Sequence, residues 1–312
     1  MKLDKPKFWD KKIGIYSILL FPLSLIFLII TYFKKKFSKT KVFNIPIICV
    51  GNIYIGGTGK TPVSIFLAKE LLSLKKKPAI IRSYYKEHKD EYNLIREEFD
   101  NLILSKKRFL GINEAIKSKS DIVILDDGFQ DFTIKKDLNI ICFNGNQLIG
   151  NGLLIPSGPL RQNLSSIKDA DIIIINGDQN IDFEKKLLLI NNNLEIYYSR
   201  YRPININEFK KKNLLAVAGI GNPENFFQLM EENGLKIQEK IIYPDHYIFS
   251  KREIVDIIIR AEKNNFEVIM TEKDFFKIKD FNLKKINYLK VELQIEEKRK
   301  LLGKIKKTYE NN

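Results

Sequence analysis

The sequence is poor in the side chains that build redox and zinc sites. It contains two cysteines and two histidines in 312 residues, and Cys49 and Cys142 both lie inside apolar runs. No Cys or His spacing is typical of a zinc site, and the two cysteines provide no disulfide framework. The sequence therefore predicts two buried, reduced thiols, as expected in a reducing cytosol.

Arginine is also scarce. Only nine of the 53 Lys and Arg residues are arginine, although the formal net charge is +15. Proteins that read nucleic acids rely on arginine for bidentate contacts. The excess of lysine therefore favours an anionic membrane surface, and not nucleic acid, as the partner. The hydrophobic content of 44% is typical of a folded chain, and the length allows two modest domains or one large one.

Charged side chains are absent from residues 13–33, "IGIYSILLFPLSLIFLIITYF". A run of this length matches the ~20 residues that cross a bilayer core. Lysines lie on both sides of it, at Lys7, Lys11, Lys12, Lys34, Lys35 and Lys36. A signal peptide would need a small-residue cleavage site, and Pro22 weakens the alternative of a straight buried core helix. We predict a membrane anchor in residues 1–40, which either spans the bilayer or lies in its surface.

Short apolar runs that end in turn residues alternate with helical patterns over the rest of the chain. Strand-like runs are "FNIPIICVGN", "KKPAIIRSYY", "SDIVILDDGF", "LNIICFN" and "ADIIIING". This alternation predicts an α/β fold with a parallel sheet covered by helices on both faces. The pattern restarts with "LLAVAGI" and ends with "INYLKVELQI". We therefore predict one domain over residues 41–205 and a smaller C-terminal α/β domain over residues 206–312.

A glycine-rich segment, "VGNIYIGGTGKTP", lies between a predicted strand and a predicted helix. It lacks the leading glycine of the spacing G-x-x-x-x-G-K-[ST], because that position is Tyr54, and this departure favours a plain glycine-rich turn. The rest of the pattern is intact, and such a loop directs backbone N–H groups and a helix N-terminus toward a phosphate group. The predicted phosphate contacts are Tyr54, Ile55, Gly56, Gly57, Thr58, Gly59, Lys60 and Thr61.

A pair of carboxylates, Asp126 and Asp127, ends the apolar strand in "DIVILDDGFQ". In enzymes with such a phosphate loop, a carboxylate at this place holds Mg²⁺ together with the loop hydroxyl, here that of Thr61. The alternative is an Asp-Asp-Gly turn. Because ligands of open α/β sheets bind at the carboxyl ends of the strands, we expect the loop and the carboxylates to face one crevice.

Five segments together resemble the tetraacyldisaccharide 4′-kinase family of lipid A biosynthesis. They are "VGNIYIGGTGKTP", "DDGFQ", "NGLLIPSGPLRQ", "PDHYIFSKREI" and "MTEKD", in the family's order over roughly residues 45–275. The family's loop also lacks the leading glycine, and its N-terminal anchor matches. The resemblance implies transfer of the γ-phosphoryl group of ATP, with Mg²⁺, to the 4′-hydroxyl of a tetraacylated disaccharide 1-phosphate, which gives lipid IVA. It implies an inner-membrane protein whose catalytic part faces the cytoplasm.

The resemblance also implies roles for individual residues. The family's "GDEP" reads "KDEY" here, which maps the catalytic base to Asp90, and "PDHY" maps its histidine partner to His246. The family's "SRGYGR" segment has lost its glycines in "IRSYYKEHKDEYNLI", so a solvated loop carboxylate is the alternative for Asp90. Lys60 and Arg161 would neutralise phosphate oxygens. Gln130 and Arg108 would contact substrate, although "KKR" also fits a solvated basic run, and we interpret His88 as a surface residue.

Two other functions fit part of these observations. One is a membrane-associated P-loop ATPase or GTPase without a lipid acceptor, although "TEKD" lacks the asparagine of the guanine motif N-K-x-D. The other is a nucleotide-binding membrane module without catalytic activity. Release of ADP only when lipid is present, and labelling of the lipid, separate the kinase from both.

Overall fold

The computed structural model describes residues 6–85, 89–245 and 247–310, with the backbone alone for Lys89 and Asp90. The strands are β1 (Ile47–Gly51), β2 (Pro78–Ser83), β3 (Leu102–Ser105), β4 (Ile122–Asp126), β5 (Leu138–Asn144), β6 (Ile172–Asn176), β7 (Glu195–Pro203), β8 (Asn213–Ala218), β9 (Lys236–Ile242), β10 (Glu267–Thr271), β11 (Ile286–Leu289) and β12 (Val291–Ile295). The helices are α1 (Ile15–Lys36), α2 (Lys60–Ser73), α3 (Lys89–Glu98), α4 (Arg108–Lys117), α5 (Ile181–Leu188), α6 (Pro223–Glu232), α7 (Lys251–Lys263), α8 (Glu272–Ile278) and α9 (Lys298–Glu310).

Two sheets organise these elements. The larger has the order β12-β7-β6-β5-β1-β4-β2-β3, and the smaller has the order β11-β10-β8-β9. From β7 to β3 the larger sheet is parallel throughout, as is the smaller one. The predicted α/β class with a parallel sheet is confirmed. The chain order reverses at β1, which lies between β4 and β5 in the middle of the sheet.

The described residues fall into two compact units. The larger groups residues 6–85, 98–200 and 295–310, and the smaller groups residues 89–97 and 201–294. This grouping differs from the predicted limits at residues 89–97 and at the C-terminus. Helix α9 belongs to the larger unit because it buries Leu301 and Ile305, and Lys304 forms an ion pair with Glu195 of β7. The run "INYLKVELQI", predicted as one strand, is divided at Lys290 into β11 and β12.

The core of the larger unit lies on both faces of its sheet. Alternate residues of a strand face opposite sides, and on one side the apolar residues of β1, β5 and β6 pack with Phe183 and Leu187 of α5. Helix α2 packs against β1, β2 and β4. The thiols of Cys49 and Cys142 are free and buried, which confirms the prediction, and burial raises the pKa of Cys49 to about 11.

Helix α1 is long and apolar enough to cross a membrane. Its surface is unusual for a globular protein, since Ile15 and Leu19 are each 69% exposed while Ser17 and Ser24 are buried. The Ser24 hydroxyl lies 2.8 Å from the carbonyl oxygen of Leu154 and 2.9 Å from the Ser157 hydroxyl. The buried serines of the helix therefore contact the rest of the larger unit, and most of its apolar positions face outward.

Candidate functional site

The phosphate loop joins buried strand β1 to helix α2. Gly56 has φ +121° and Gly59 has φ +86°, which are backbone conformations that side chains with a Cβ rarely adopt. Gly59 is the N-cap of α2, so Lys60 and Thr61 occupy its first turn. Backbone N–H groups at a helix start have no partner within the helix, and this geometry makes them available to an anion.

Tyr54 occupies the position of the missing leading glycine, and its side chain is fixed in the core. Its ring is 1% exposed within the core of the larger unit, and its hydroxyl donates to Asp10 Oδ1 at 2.8 Å. Burial, together with the Asp10 carboxylate, raises the pKa of Tyr54 well above its usual range. Its backbone pairs with Leu160 in an antiparallel bridge. The side chain therefore anchors the loop, while Ile55 beside it is 39% exposed.

Asp126, at the end of β4, is fully buried and contacts the first turns of α2. Thr61 Oγ1 lies 3.2 Å from Asp126 Oδ2, and Ser64 Oγ lies 3.2 Å from Asp126 Oδ1. Arg82, at the end of β2, forms an ion pair with Asp126 and donates to Thr61 Oγ1 at 2.8 Å. The carboxylate and hydroxyl predicted to hold a metal thus lie together, and both contact a guanidinium group.

Arg82 and Ser64 were not among the residues predicted from the sequence. A signal for Arg82 was present, because it is a charged residue at the end of the apolar strand "PAIIRS". Its partner depends on β2 lying beside β4, and no local pattern gives the strand order. Ser64 lies one turn after Lys60 on α2, where a serine carries no distinctive sequence signal.

Asp127 joins the two cations predicted to neutralise phosphate. Arg161 makes a bidentate pair with it, at 2.7 and 3.2 Å, and Lys60 Nζ lies 4.0 Å from Asp127 Oδ1. Burial opposes ionisation of Asp127, but Lys60 and Arg161 outweigh it and hold the pKa of this carboxyl well below its usual value. Burial also lowers the pKa of Lys60, against the attraction of Asp127. Asp127 has φ +57°, so the backbone turns sharply where the charges meet.

Gln130 and Arg108 support this turn. Gln130 Nε2 donates to the backbone oxygen of Asn52 at 2.7 Å. Arg108, the first residue of α4, donates from Nη2 to the backbone oxygen of Asp127 at 2.7 Å and lies 3.5 Å from Asp131. Both residues lie beside the phosphate loop, and their contact with substrate remains a prediction.

Asp90 and His246 are the two residues assigned to proton transfer. Asp90 lies in the first turn of α3, and its side chain, like the whole of His246, lies outside the described residues, as does His88. Among the described neighbours in the smaller unit, Lys273 of "MTEKD" lies 3.3 Å from Asp245 and 3.9 Å from Glu91. The motif residues next to Asp90 and His246 therefore share one lysine.

A hollow of about 390 Å³ lies at the opposite edge of the larger sheet, lined by Asp137, Leu138, Asp171, Glu195, Lys304, Lys307 and Thr308. Its carboxylates have structural partners. Asp137 accepts from the Ile47 N–H at 2.8 Å, and Asp171 accepts from the Asn139 N–H at 2.7 Å. These contacts close the starts of strands, so we place the candidate site at the phosphate loop and not in this hollow.

No group of three or more His, Cys, Asp or Glu residues that could hold a metal ion occurs within residues 6–85, 89–245 and 247–310. At the phosphate loop the oxygen donors are Thr61 and Asp126, which is a smaller set.

Comparison with known proteins agrees with these features. A family model described as tetraacyldisaccharide-1-P 4′-kinase matches residues 16–310. A tetraacyldisaccharide 4′-kinase of Pelagibacter ubique is 43% identical over 100% of both chains. One of Rickettsia akari is 33% identical over 95% of this chain and 94% of the relative.

A solved structure shares the fold. It is described as an "apo" form of LpxK from Aquifex aeolicus in complex with ATP, and it matches with a TM-score of 0.72 and 24% identity. The match covers 94% of this chain and 99% of the other. Because the family model and a relative of 43% identity both extend over essentially the whole sequence, this chain belongs to the tetraacyldisaccharide-1-P 4′-kinase family.

Proposed function

We propose that this chain transfers the γ-phosphoryl group of ATP to the 4′-hydroxyl of a tetraacylated disaccharide 1-phosphate, giving lipid IVA. The observation that carries the proposal is the cluster in which Lys60 and Arg161 flank Asp127 at the start of α2. With Arg82 and Asp126 the cluster has three positive and two negative side chains, so a polyphosphate would complement its excess positive charge. The family membership and the ATP named for the Aquifex aeolicus LpxK structure support ATP as the donor.

The cluster suits phosphoryl transfer, in which a protein mainly positions groups and stabilises charge. In the proposed step the 4′-oxygen forms a bond to the γ-phosphorus, and the bond from that phosphorus to the bridging oxygen of ADP breaks. Lys60, Arg161 and the loop N–H groups neutralise the phosphate oxygens. The hydroxyl proton passes to Asp90, which we assign with His246 on the strength of "KDEY" and "PDHY". Gln130 and Arg108 then contact the acceptor.

The oxygen donors at the start of α2 fit Mg²⁺. Magnesium in kinases takes one or two protein oxygens together with phosphate oxygens, and Thr61 and Asp126 supply such a pair 3.2 Å apart. Arg82 already pairs with Asp126 and donates to Thr61, so Mg²⁺ would replace this guanidinium as the partner of the two oxygens. Bound there, Mg²⁺ would supply positive charge that neutralises the phosphate oxygens. Asp127, which contacts Arg161 and Lys60, would reach the ion through water.

The exposed apolar surface of α1 supports attachment to a membrane. We propose the inner membrane with the ATP site facing the cytoplasm, because ATP is the proposed donor. We propose that α1 lies in the membrane surface. Its contacts with the larger unit extend from Ser17, which accepts from Asn151, to Lys35, which pairs with Asp169. Lys35 lies 18 positions after Ser17, which corresponds to about 27 Å of helix. A helix crossing the bilayer would carry this polar contact surface into the hydrocarbon core, where unsatisfied polar groups are costly.

The proposed reaction is tested by incubating the protein with ATP labelled with ³²P at the γ-position and disaccharide 1-phosphate in mixed micelles. We expect label in the lipid and stoichiometric ADP. A Lys69→Ala protein serves as the matched control, because Lys69 is on the same helix as Lys60 but pairs with Glu98 on the surface.

Three outcomes are distinguishable in that assay. ADP release without lipid, and no labelled lipid, would make the chain an ATPase. Nucleotide binding with no ADP release under any condition would make it a binding module. Labelled lipid that depends on Lys60 and not on Lys69 supports the kinase.

A further inference from the structure

Asn52 is a fully buried polar residue at the point where β1 gives way to the phosphate loop. Its side-chain amide donates from Nδ2 to the Thr58 hydroxyl at 2.8 Å and lies 3.4 Å from the backbone oxygen of Gly56. Both partners are in the second half of the loop. The Asn52 side chain therefore joins the start of the loop to its second half. The residues between them include Tyr54, which stands where the usual glycine would be.

The remaining polar atoms of Asn52 face the other side of the site. Its Oδ1 accepts a hydrogen bond from Nη2 of Arg161. Its backbone oxygen accepts from the same Nη2 at 3.3 Å and from Gln130 Nε2 at 2.7 Å. Arg161 in turn pairs with Asp127. One side chain thus contacts both the loop that would surround a phosphate group and the arginine that would neutralise it.

We propose that Asn52 is a positioning residue that fixes the phosphate loop relative to Arg161, an inference that rests on the proposed phosphoryl transfer. An amide can do this because it has donors on one atom and an acceptor on the other. The donors hold Thr58 and the acceptor holds Arg161, so the loop N–H groups and the guanidinium are directed at one phosphoryl group. Preorganised charge of this kind contributes most of the stabilisation in phosphoryl transfer.

A second buried asparagine in the same sheet provides a matched control. Asn144 ends β5, which lies beside β1, and it is 4% exposed. Its amide oxygen accepts from the Asn146 N–H at 2.9 Å, a contact within a local turn. Replacing either asparagine by alanine removes a buried amide, and only Asn52 contacts the phosphate loop and Arg161 in the described hydrogen bonds.

The test compares Asn52→Ala with Asn144→Ala in the full-length protein, with ATP affinity measured by titration, kcat and KM by ³²P transfer, and Tm by thermal unfolding. For Asn52→Ala we expect ATP affinity to fall ~10-fold and kcat to fall ~10- to 100-fold, because a misplaced donor loses transition-state stabilisation. For Asn144→Ala we expect a similar fall in Tm, with kcat and ATP affinity within ~2-fold of the wild type, since its amide makes a local contact that contributes to stability alone.

Thr58→Val adds a second readout, since it removes the hydroxyl that Asn52 holds. If the two residues act as a unit, Asn52→Ala will cost less in kcat on the Thr58→Val background than in the wild type. If Asn52→Ala does not fold, Asn52→Asp replaces it. The aspartate keeps an acceptor for Arg161 and can accept from the Thr58 hydroxyl, but it has no donor for the backbone oxygen of Gly56, so ATP affinity should again fall.

The inference is overturned if Asn52→Ala lowers Tm like Asn144→Ala while kcat and ATP affinity stay within ~2-fold of the wild type, which would give Asn52 a structural role only. Failure of the proposed function has a different signature. In that case the wild-type protein transfers no label to the lipid, while the ratio of ATP affinities between wild type and Asn52→Ala still tests the positioning role.

Discussion

Both units place an aspartate and its charged partners just after a parallel strand. The two clusters differ in whether the carboxylate is exposed to a ligand or is fully used by the protein's own groups. In the smaller unit Asp274, after β10, is fully buried. Its Oδ2 accepts from the Gly219 N–H at 2.6 Å and from the Thr271 hydroxyl at 2.7 Å, and its Oδ1 accepts from Lys277 at 2.6 Å. These partners lie at the ends of β8 and β10 and in α8. The contacts therefore hold the backbone of the smaller unit in place.

In the larger unit Asp127, after β4, has a side chain that is 30% exposed. Its partners Lys60 and Arg161 come from a glycine-rich loop and from a distant segment, and Lys60 lies 4.0 Å away. The comparison shows that the carboxyl end of a parallel strand is not by itself a binding site. What distinguishes the larger unit is a partly exposed pair, Asp127 and Arg161, beside glycines whose backbone N–H groups can bind an anion.

The largest expected effect is the loss of kcat on replacing Asp90. Asp90 belongs to residues 89–97, which group with the smaller unit. If it is the base, Asp90→Ala should lower kcat for transfer ~10²–10⁴-fold and leave ATP affinity nearly intact. His246→Ala should cause a smaller loss, and the two losses should be non-additive. Kinetics of both single variants and the double variant, with ATP titration, measure this.

If Asp90→Ala keeps its rate, or loses ATP affinity as much as rate, the assignment of "KDEY" is wrong. Glu91, the next carboxylate in α3, would then be substituted in the same assay.

Asp274→Ala should affect stability and not chemistry. Removing the carboxylate leaves Lys277, whose side chain is 10% exposed, without its ion pair, and breaking a buried pair on one side costs about 3–5 kcal/mol. Chemical denaturation should show this loss, while ATP affinity of the folded fraction stays at the wild-type value. Asp274→Asn is the control, since it keeps an acceptor for the Gly219 N–H and should cost less. A loss of ATP binding without a loss of stability would erase the contrast between the two clusters.

Lys60→Ala should lower the rate of transfer and leave stability nearly unchanged. Transfer should fall at least ~100-fold, because a preorganised charge at the transition state is lost. Stability should change little, because burial lowers the pKa of Lys60 and its ion pair with Asp127 is long. Steady-state kinetics and thermal unfolding measure the two quantities, with Lys69→Ala as the control on the same helix. Near-wild-type transfer would remove the nucleotide site from this loop.

The smallest effect concerns acid stability. Because the pKa of Asp127 is held below its usual value, its ionised form stabilises the fold above about pH 4, the pKa of a free aspartate, and that contribution is lost as the pH falls further. Asp127→Asn should therefore show a shallower loss of stability than the wild type between about pH 4 and pH 2. Denaturation across this range is the measurement, and Asp256→Asn, exposed on α7, should behave like the wild type.

Much of this arrangement can be read from the sequence, since apolar runs give the strands and the strand ends bring Thr61 and Asp126 together. Asn52 and Arg82 could not be assigned in this way, because their partners depend on which strands are neighbours. The placement of α9 in the larger unit has the same origin, because its Lys304 pairs with Glu195, which is far away in the sequence. The sequence shows that Tyr54 departs from the usual phosphate-loop spacing. Its hydrogen bond to Asp10 could be identified only from the structure.

The way α1 is seated has a practical consequence for producing the enzyme. Trp9 donates to the Pro156 carbonyl at 3.0 Å and Tyr54 donates to Asp10 at 2.8 Å, while Ser24 contacts Ser157. Deleting the N-terminal segment to obtain a soluble protein would therefore remove these hydrogen bonds. Two of them hold the segment around Pro156 and Ser157, which continues into Leu160 beside the phosphate loop. Replacing outward side chains such as Leu19 with polar ones, while Ser17 and Ser24 are retained, should reduce the need for detergent and leave the phosphate loop in place.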